Sequence, residues 1–197
     1  MPRFALSFDD GPSPAGTPRL LEALRELETR ATFFMLGVHV LRHPAIARRV
    51  ANEGHEIGLH GHHHRPPALL PRALLRREIE TGLRVVREAT GAPPRLYRAP
   101  FGWLTPAQAA ELRGRGLEPV LGDVYPGDHA RPGAERIAGA ALDRLRAGSI
   151  LILHDASAML DFDRGQTIAA VRAIVPAMRA RGIPAGSVGE LLAAAPR

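Results

Sequence analysis

The chain contains no cysteine, so neither a disulfide framework nor a thiolate metal site can be built from it. It contains no lysine either: all 26 of its Lys-plus-Arg residues are arginines, and the formal net charge is +6. Asn52 is the sole asparagine, and Gln108 and Gln166 are the sole glutamines. Such scarcity suits a heat-adapted protein, but a GC-rich genome gives the same Arg, Ala and Pro bias and is the preferred reading. Aromatic residues make up only 5%, against 45% hydrophobic residues in all, so the core is expected to be mostly Leu, Val, Ile and Ala. No apolar run reaches the ~18 residues of a membrane span. Met1-Pro2-Arg3 leads straight into an apolar stretch without a secretory leader. That leaves a cytoplasmic protein, or a secreted one whose leader is not part of this sequence.

A basic surface favours anionic partners such as nucleic acid or acidic cell wall. Here the arginines are spread along expected helices (Arg48, Arg49; Arg72, Arg76, Arg77; Arg179, Arg181), and no basic run exceeds two residues. With no nucleic-acid motif and no clustered patch, a solvated surface is the better account. The length suits one domain spanning residues 1–197.

What the chain does have begins at Leu6-Ser7-Phe8-Asp9-Asp10-Gly11-Pro12. Phe4, Leu6 and Phe8 alternate as in a strand, and Gly-Pro turns the chain away behind two adjacent carboxylates. Neighbouring aspartates both ionise comfortably when a cation shares them. Because consecutive side chains leave an extended backbone in opposite directions, one can bind a metal while the other faces a water. An ordinary Asx turn at a strand end is the competing explanation.

The remaining pattern alternates. Helices are expected over 17–28, 44–52, 71–91, 105–113, 132–146 and 166–181, the last kinked at Pro176. The helix after Pro71 carries Leu74, Leu75, Ile79, Leu83 and Val86 at spacings of three and four. Strands are expected over 32–36, 55–59, 96–98, 117–121 and 149–153, with a short one near Ile183. Ser187 and Glu190 have the spacing of a capping box. Strand and helix alternate about seven times, which argues for a parallel sheet covered by helices. Asp9-Asp10, His60, Arg98, Asp123 or Asp128, and His154 each follow a strand. In parallel α/β folds those carboxyl ends share one face, where active sites sit.

His60 and His64 have the i, i+4 spacing that places two imidazoles on one side of a helical turn. With one aspartate they make a His-His-carboxylate set that leaves positions open for water and substrate. His62 and His63 are read as cleft-lining or solvent-facing, with no ligand role.

Four stretches, in order, then resemble the motifs of the polysaccharide deacetylase family (NodB-homology domain, carbohydrate esterase family 4). They are Ser7-Phe8-Asp9-Asp10-Gly11-Pro12, Gly54-His55-Glu56-Ile57-Gly58 with His60 and His64, Arg98-Ala99-Pro100-Phe101-Gly102, and Ile150-Leu151-Ile152-Leu153-His154-Asp155. The resemblance covers about residues 3–194. It implies an α/β fold, a distorted (β/α) barrel of about seven parallel strands. It also implies a divalent metal, most often zinc, with cobalt or another divalent ion as alternatives, and removal of acetyl groups from an acetylated amino-sugar oligomer or polymer. On this resemblance Asp10, His60 and His64 hold the metal, Asp9 is the general base and Arg98 its partner. His154 is the general acid, the Phe101 backbone N–H an oxyanion donor, and Ile152 part of the acetyl pocket.

The departures from the family pattern are specific. Gly61 stands where Ser or Thr is usual, removing a hydroxyl that braces the ligand loop. In the usual Asp-x-x-Asp-Trp motif, Tyr125 takes the first aspartate and His129 the tryptophan, leaving Asp128 to orient His154 or Arg98, with Asp123 as the alternative. A sugar-stacking wall is thereby altered, with Trp103 as a candidate replacement. Three rivals stand beside this reading: the His-His-carboxylate set of non-haem iron oxygenases, a catalytically silent carbohydrate-binding module, and a hydrolase of small non-sugar amides. Oligomeric state is left open.

Overall fold

The computed structural model describes residues 3–159 and 162–194; Met1 and Pro2, ahead of the first strand, lie outside them. The sheet is organised around β1 (Phe4–Asp9), buried along its whole length. That burial is why it reads as an apolar run broken only by Ser7 before the carboxylates. On one side follow β2 (Thr32–Met35), β3 (Glu56–Leu59), β4 (Leu96–Tyr97) and β5 (Glu118–Pro119), and on the other β6 (Ile150–His154). β7 (Ala185–Gly186) pairs with the start of β1 at Phe4 and Ala5, while β2 takes its carboxyl half from Ser7 to Asp9. Every pairing is parallel. The sheet curls into a half-barrel, and a single parallel bridge, Val124 to Leu151, links the chain beyond β5 to β6. The expected parallel α/β barrel is therefore present in incomplete form.

The helices are α1 (Thr17–Glu26), α2 (Gly37–Arg42), α3 (Pro44–Asn52), α4 (Arg72–Thr90), α5 (Pro106–Gly114), α6 (Ala134–Leu142), α7 (Gly165–Ala180) and α8 (Val188–Ala194). α1 buries Leu20, Leu21 and Leu24 as its spacing predicts. α4 buries Leu75, Ile79 and Val86, but Leu74 lies outside the buried stripe and is exposed. Thr105 caps α5 in a reciprocal box with Gln108, and Ser187 and Glu190 do the same for α8.

Four local expectations differ from the fold. Thr17-Pro18 reads in the sequence as an N-cap followed by the first helical residue, but Thr17 opens α1 from inside and Gly16 is the N-cap; the threonine hydroxyl donates instead to Asp155. α2 has no sequence signal because it starts on Gly37 without a capping side chain. β5 shrinks to a two-residue edge strand containing Pro119, a place in a sheet where proline's missing donor is harmless. α6 starts only at Ala134, behind a 3₁₀ turn over Asp128–Ala130 and Gly133 at φ 105°. Pro176 lies inside α7, where the sequence places it.

Candidate metal and catalytic site

The carboxyl ends of β1, β3 and β6 and the loop after β4 meet on one rim. β1 ends on Asp9; the next residue, Asp10, is left-handed at φ 75°. Gly11 follows because a Cβ there would lie 2.3 Å from Asp155 Oδ2, under the turn. Two further non-glycine residues on the rim, His64 (φ 58°) and Phe101 (φ 61°), are also left-handed. Strained backbone of this kind costs about 1–3 kcal/mol per residue and gathers at functional sites.

Asp10, His60 and His64 converge: one ligand atom from each lies within 4.8 Å of the others. His60 Nδ1 is 2.8 Å from the Arg98 carbonyl oxygen. A carbonyl only accepts, so Nδ1 carries the proton and the Nε2 lone pair faces Asp10 Oδ1, 3.6 Å away. His64 Nε2 is 3.3 Å from the same oxygen. Burial pulls the His64 imidazole below its ordinary value, more than Asp10 raises it, so the neutral ring is favoured. Asp10 Oδ2 accepts from the Ala158 N–H, whereas Oδ1 is buried without a hydrogen bond. A buried, orphaned carboxylate oxygen facing two imidazole nitrogens is the environment a divalent cation satisfies. The donor set fits a metal. His39 of α2, which sequence reasoning missed, fixes the turn by donating from Nδ1 to the Asp10 carbonyl at 2.7 Å.

The expected helical turn across the histidines is absent. His60 to His64 is a loop with Gly61 left-handed at φ 83°. The i, i+4 imidazoles meet because the loop folds back on itself. Neither His62 nor His63 joins the donor set.

Asp9 and Arg98 form a buried pair at 2.7 Å, 4% and 2% exposed. Burial pushes the Asp9 carboxyl up, but the Arg98 guanidinium, with His60 and His154, outweighs burial and holds it below the usual carboxylate range. Arg98 also donates to Ser7 Oγ at 2.8 Å and lies over the Phe34 ring. Ser7 Oγ in turn donates to the Leu151 carbonyl at 2.7 Å, so the one polar side chain inside β1 is fully used.

His154, at the end of β6, is held by Asp128. Oδ1 receives the Nδ1 proton at 2.8 Å, Oδ2 receives the backbone N–H at 2.9 Å, and Thr167 also donates to Oδ2. Burial pulls the imidazole down, but the Asp128 hydrogen bond and charge, with Asp9 and Asp10, push it up to about 9. Between the two candidates Asp128 is the one that orients His154. Asp123 lies at the opposite end of β6, capping the Ile150 N–H at 2.6 Å and Ser149 Oγ at 3.0 Å.

Around these groups stand exposed aromatics. Phe101 contacts His64 with ring centroids 4.7 Å apart and Trp103 at 6.3 Å. Tyr125 stacks on His129 at an interplanar angle of 8°, its hydroxyl 2.6 Å from His129 Nδ1, and both rings flank His154. Burial, then Asp128, pushes the Tyr125 phenol up to about 12, so it stays protonated. Ile152 is half-buried against Gly122, where a Cβ would lie 2.4 Å from Ile152 Cγ1.

A family model described as polysaccharide deacetylase matches residues 2–120. A peptidoglycan-N-acetylglucosamine deacetylase of Bacillus cereus is 36% identical over 190 residues, 95% of this chain and 87% of its own length. A chitooligosaccharide deacetylase of Bradyrhizobium sp. is 37% identical over 185 residues, 90% of this chain and 84% of its own. Among solved structures, a peptidoglycan N-acetylglucosamine deacetylase in complex with 4-naphthalen-1-yl-N-oxidanyl-benzamide matches with a TM-score of 0.91 at 26% identity, over 96% of this chain and 87% of that one. A family 4 carbohydrate esterase from Streptomyces lividans in complex with acetate matches at 0.84 and 30% identity, over 94% and 92%. The chain belongs to the polysaccharide deacetylase family, hydrolases acting on carbon–nitrogen bonds other than peptide bonds.

Proposed function

We propose that the chain is a metal-dependent deacetylase that removes N-acetyl groups from amino-sugar oligomers or polymers of the chitooligosaccharide or peptidoglycan type. The observation that carries this reading is the placing of Asp9, paired with Arg98 and pushed down, opposite His154, paired with Asp128 and pushed up, beside the Asp10, His60 and His64 donor set. Enzymes that run acid and base chemistry at one pH separate two titratable groups in this way. The names of the Bacillus cereus and Bradyrhizobium relatives support the substrate class.

Two imidazoles and a carboxylate suit zinc, with cobalt a competent substitute. When bound, such an ion supplies Lewis acidity, which acidifies a water and polarises the amide carbonyl. Asp9 takes the proton of the attacking water, and Arg98 keeps that carboxylate ionised and aimed. The Phe101 N–H donates to the oxyanion that develops on the acetyl oxygen. His154 gives its proton to the departing nitrogen, so the C–N bond breaks to an amine and acetate with no amide anion expelled. Ile152 borders the space for the acetyl methyl. Phe101, Trp103 and Tyr125 offer faces to sugar rings.

The test is acetate release from N-acetylglucosamine oligomers of increasing length and from peptidoglycan fragments, using metal-stripped protein and the same sample after zinc or cobalt is restored. Release that returns with the metal and depends on oligomer length supports the proposal. A sample that binds metal yet releases acetate from neither substrate would contradict it.

A further inference from the structure

His62 and His63 stand between two proposed metal ligands without reaching the donor set, yet their backbone is held on both sides. Gly37 and Val38, at the start of α2, donate to the carbonyls of Gly61 and His62, each at 3.0 Å. From α4, Glu78 Oε2 accepts the backbone N–H of His62 at 3.2 Å and of His63 at 2.9 Å. Its other oxygen, Oε1, pairs with His63 Nδ1 at 2.7 Å. Glu78 is only 8% exposed. At the start of α2, Gly37 lets the loop approach: a Cβ there would lie 2.3 Å from His62 Nδ1. The loop is therefore held between two helices.

We propose that Glu78 is a positioning residue for the metal site. It clamps the peptide groups between His60 and His64 and so fixes the separation and aim of both imidazoles. This rests on the reading of Asp10, His60 and His64 as metal ligands. The loop has no periodic hydrogen bonds of its own, and two of its residues, Gly61 and His64, are left-handed. Without Glu78, one buried and one part-buried N–H group lose their acceptor, and the loop regains conformations in which the imidazoles do not converge. The carboxylate touches the ligand loop and Arg65 (3.8 Å), and no donor atom of the site.

The test uses the full chain and its Glu78→Ala and Glu78→Gln variants. Zinc affinity is measured by competition with a chromophoric chelator, and ligand geometry by the visible absorption of the cobalt form. Removing a partner that orients ligands costs about 10–100-fold in metal affinity. The alanine variant is expected to lose that much and to change its cobalt spectrum, while the metal-free protein still folds cooperatively and melts only about a few degrees lower. Glutamine keeps an oxygen that can accept both N–H groups and is expected to recover most of the loss. Wild-type affinity and spectrum in Glu78→Ala, or a glutamine variant no better than alanine, would overturn the proposal. Amide hydrogen exchange of metal-free wild type provides a check that needs no variant. Protected His62 and His63 amides are expected, and exchange at the rate of an open chain would overturn the clamp. Wild type that binds neither zinc nor cobalt would instead contradict the metal reading itself.

Discussion

Asp9 and His154 are register partners on neighbouring parallel strands, β1 and β6. Partners in register present their side chains to the same face of the sheet, so the proposed base and acid stand next to each other on the rim by virtue of strand pairing alone. One step of the alternation below them, Ser7 pairs with Ile152. The same face thus carries the hydroxyl that steadies Arg98 and the side chain beneath His154. The proposed base and acid are positioned by two paired strands at the centre of the sheet, one of them buried along its whole length, which favours preorganisation.

Ser7 gives the first prediction. Its hydroxyl links Arg98 to the Leu151 carbonyl inside the core. Ser7→Ala leaves that acceptor short of a partner, at a cost of about 1–3 kcal/mol. Chemical denaturation should register the loss, with kcat reduced less than tenfold because the Asp9–Arg98 pair remains.

Asp128 sets a pH dependence. A general acid works while protonated, so activity is present below the His154 pKa, about 9, and falls as pH rises through it. Any stability this raised pKa contributes is complete below the ordinary imidazole value and is likewise lost as pH rises through about 9. In Asp128→Asn the charge is gone while burial remains, so the alkaline limb of kcat should move down toward about 6.5. A limb that stays in place would assign the alkaline limb to another group.

Tyr125 and His129 form a stacked face beside His154. Tyr125→Ala removes this face without touching the proton-transfer groups. An aromatic contact worth about 0.5–1.5 kcal/mol predicts a KM raised a few-fold to about tenfold, with kcat little changed. Steady-state kinetics on a defined oligomer would show a large fall in kcat instead if Tyr125 had a chemical role.

Much of this architecture is legible before any coordinates are seen. β1 announces itself by apolar alternation ending on two carboxylates, and the polar residues that follow β3, β4 and β6 point to one rim because parallel strands share their carboxyl ends. What stays hidden depends on long-range contacts. Spacing suggests a helical turn for His60 and His64, but spacing carries no information on the left-handed Gly61 and His64 that make the loop fold back. The family resemblance puts Asp128 ahead of Asp123, but both follow the same expected strand in the sequence. Only the path of the chain after β5 puts one at the start of β6 and the other at its end. Glu78 is indistinguishable from any glutamate on an amphipathic helix until α4 is packed on the histidine loop. α2 escapes notice because it is short and uncapped, although it delivers His39 to the Asp10 carbonyl.

The division of labour between the two adjacent aspartates is the centre of the account, and Asp9→Asn tests it most directly. Asparagine keeps an oxygen for Arg98 but cannot take a proton at neutral pH. Bound metal and turnover should be measured on the same sample. The expected result is metal retained at the wild-type stoichiometry, with kcat lowered about 10²–10⁴-fold. Undiminished turnover would contradict the assignment of Asp9 as base, and loss of the metal along with activity would place Asp9 among the ligands.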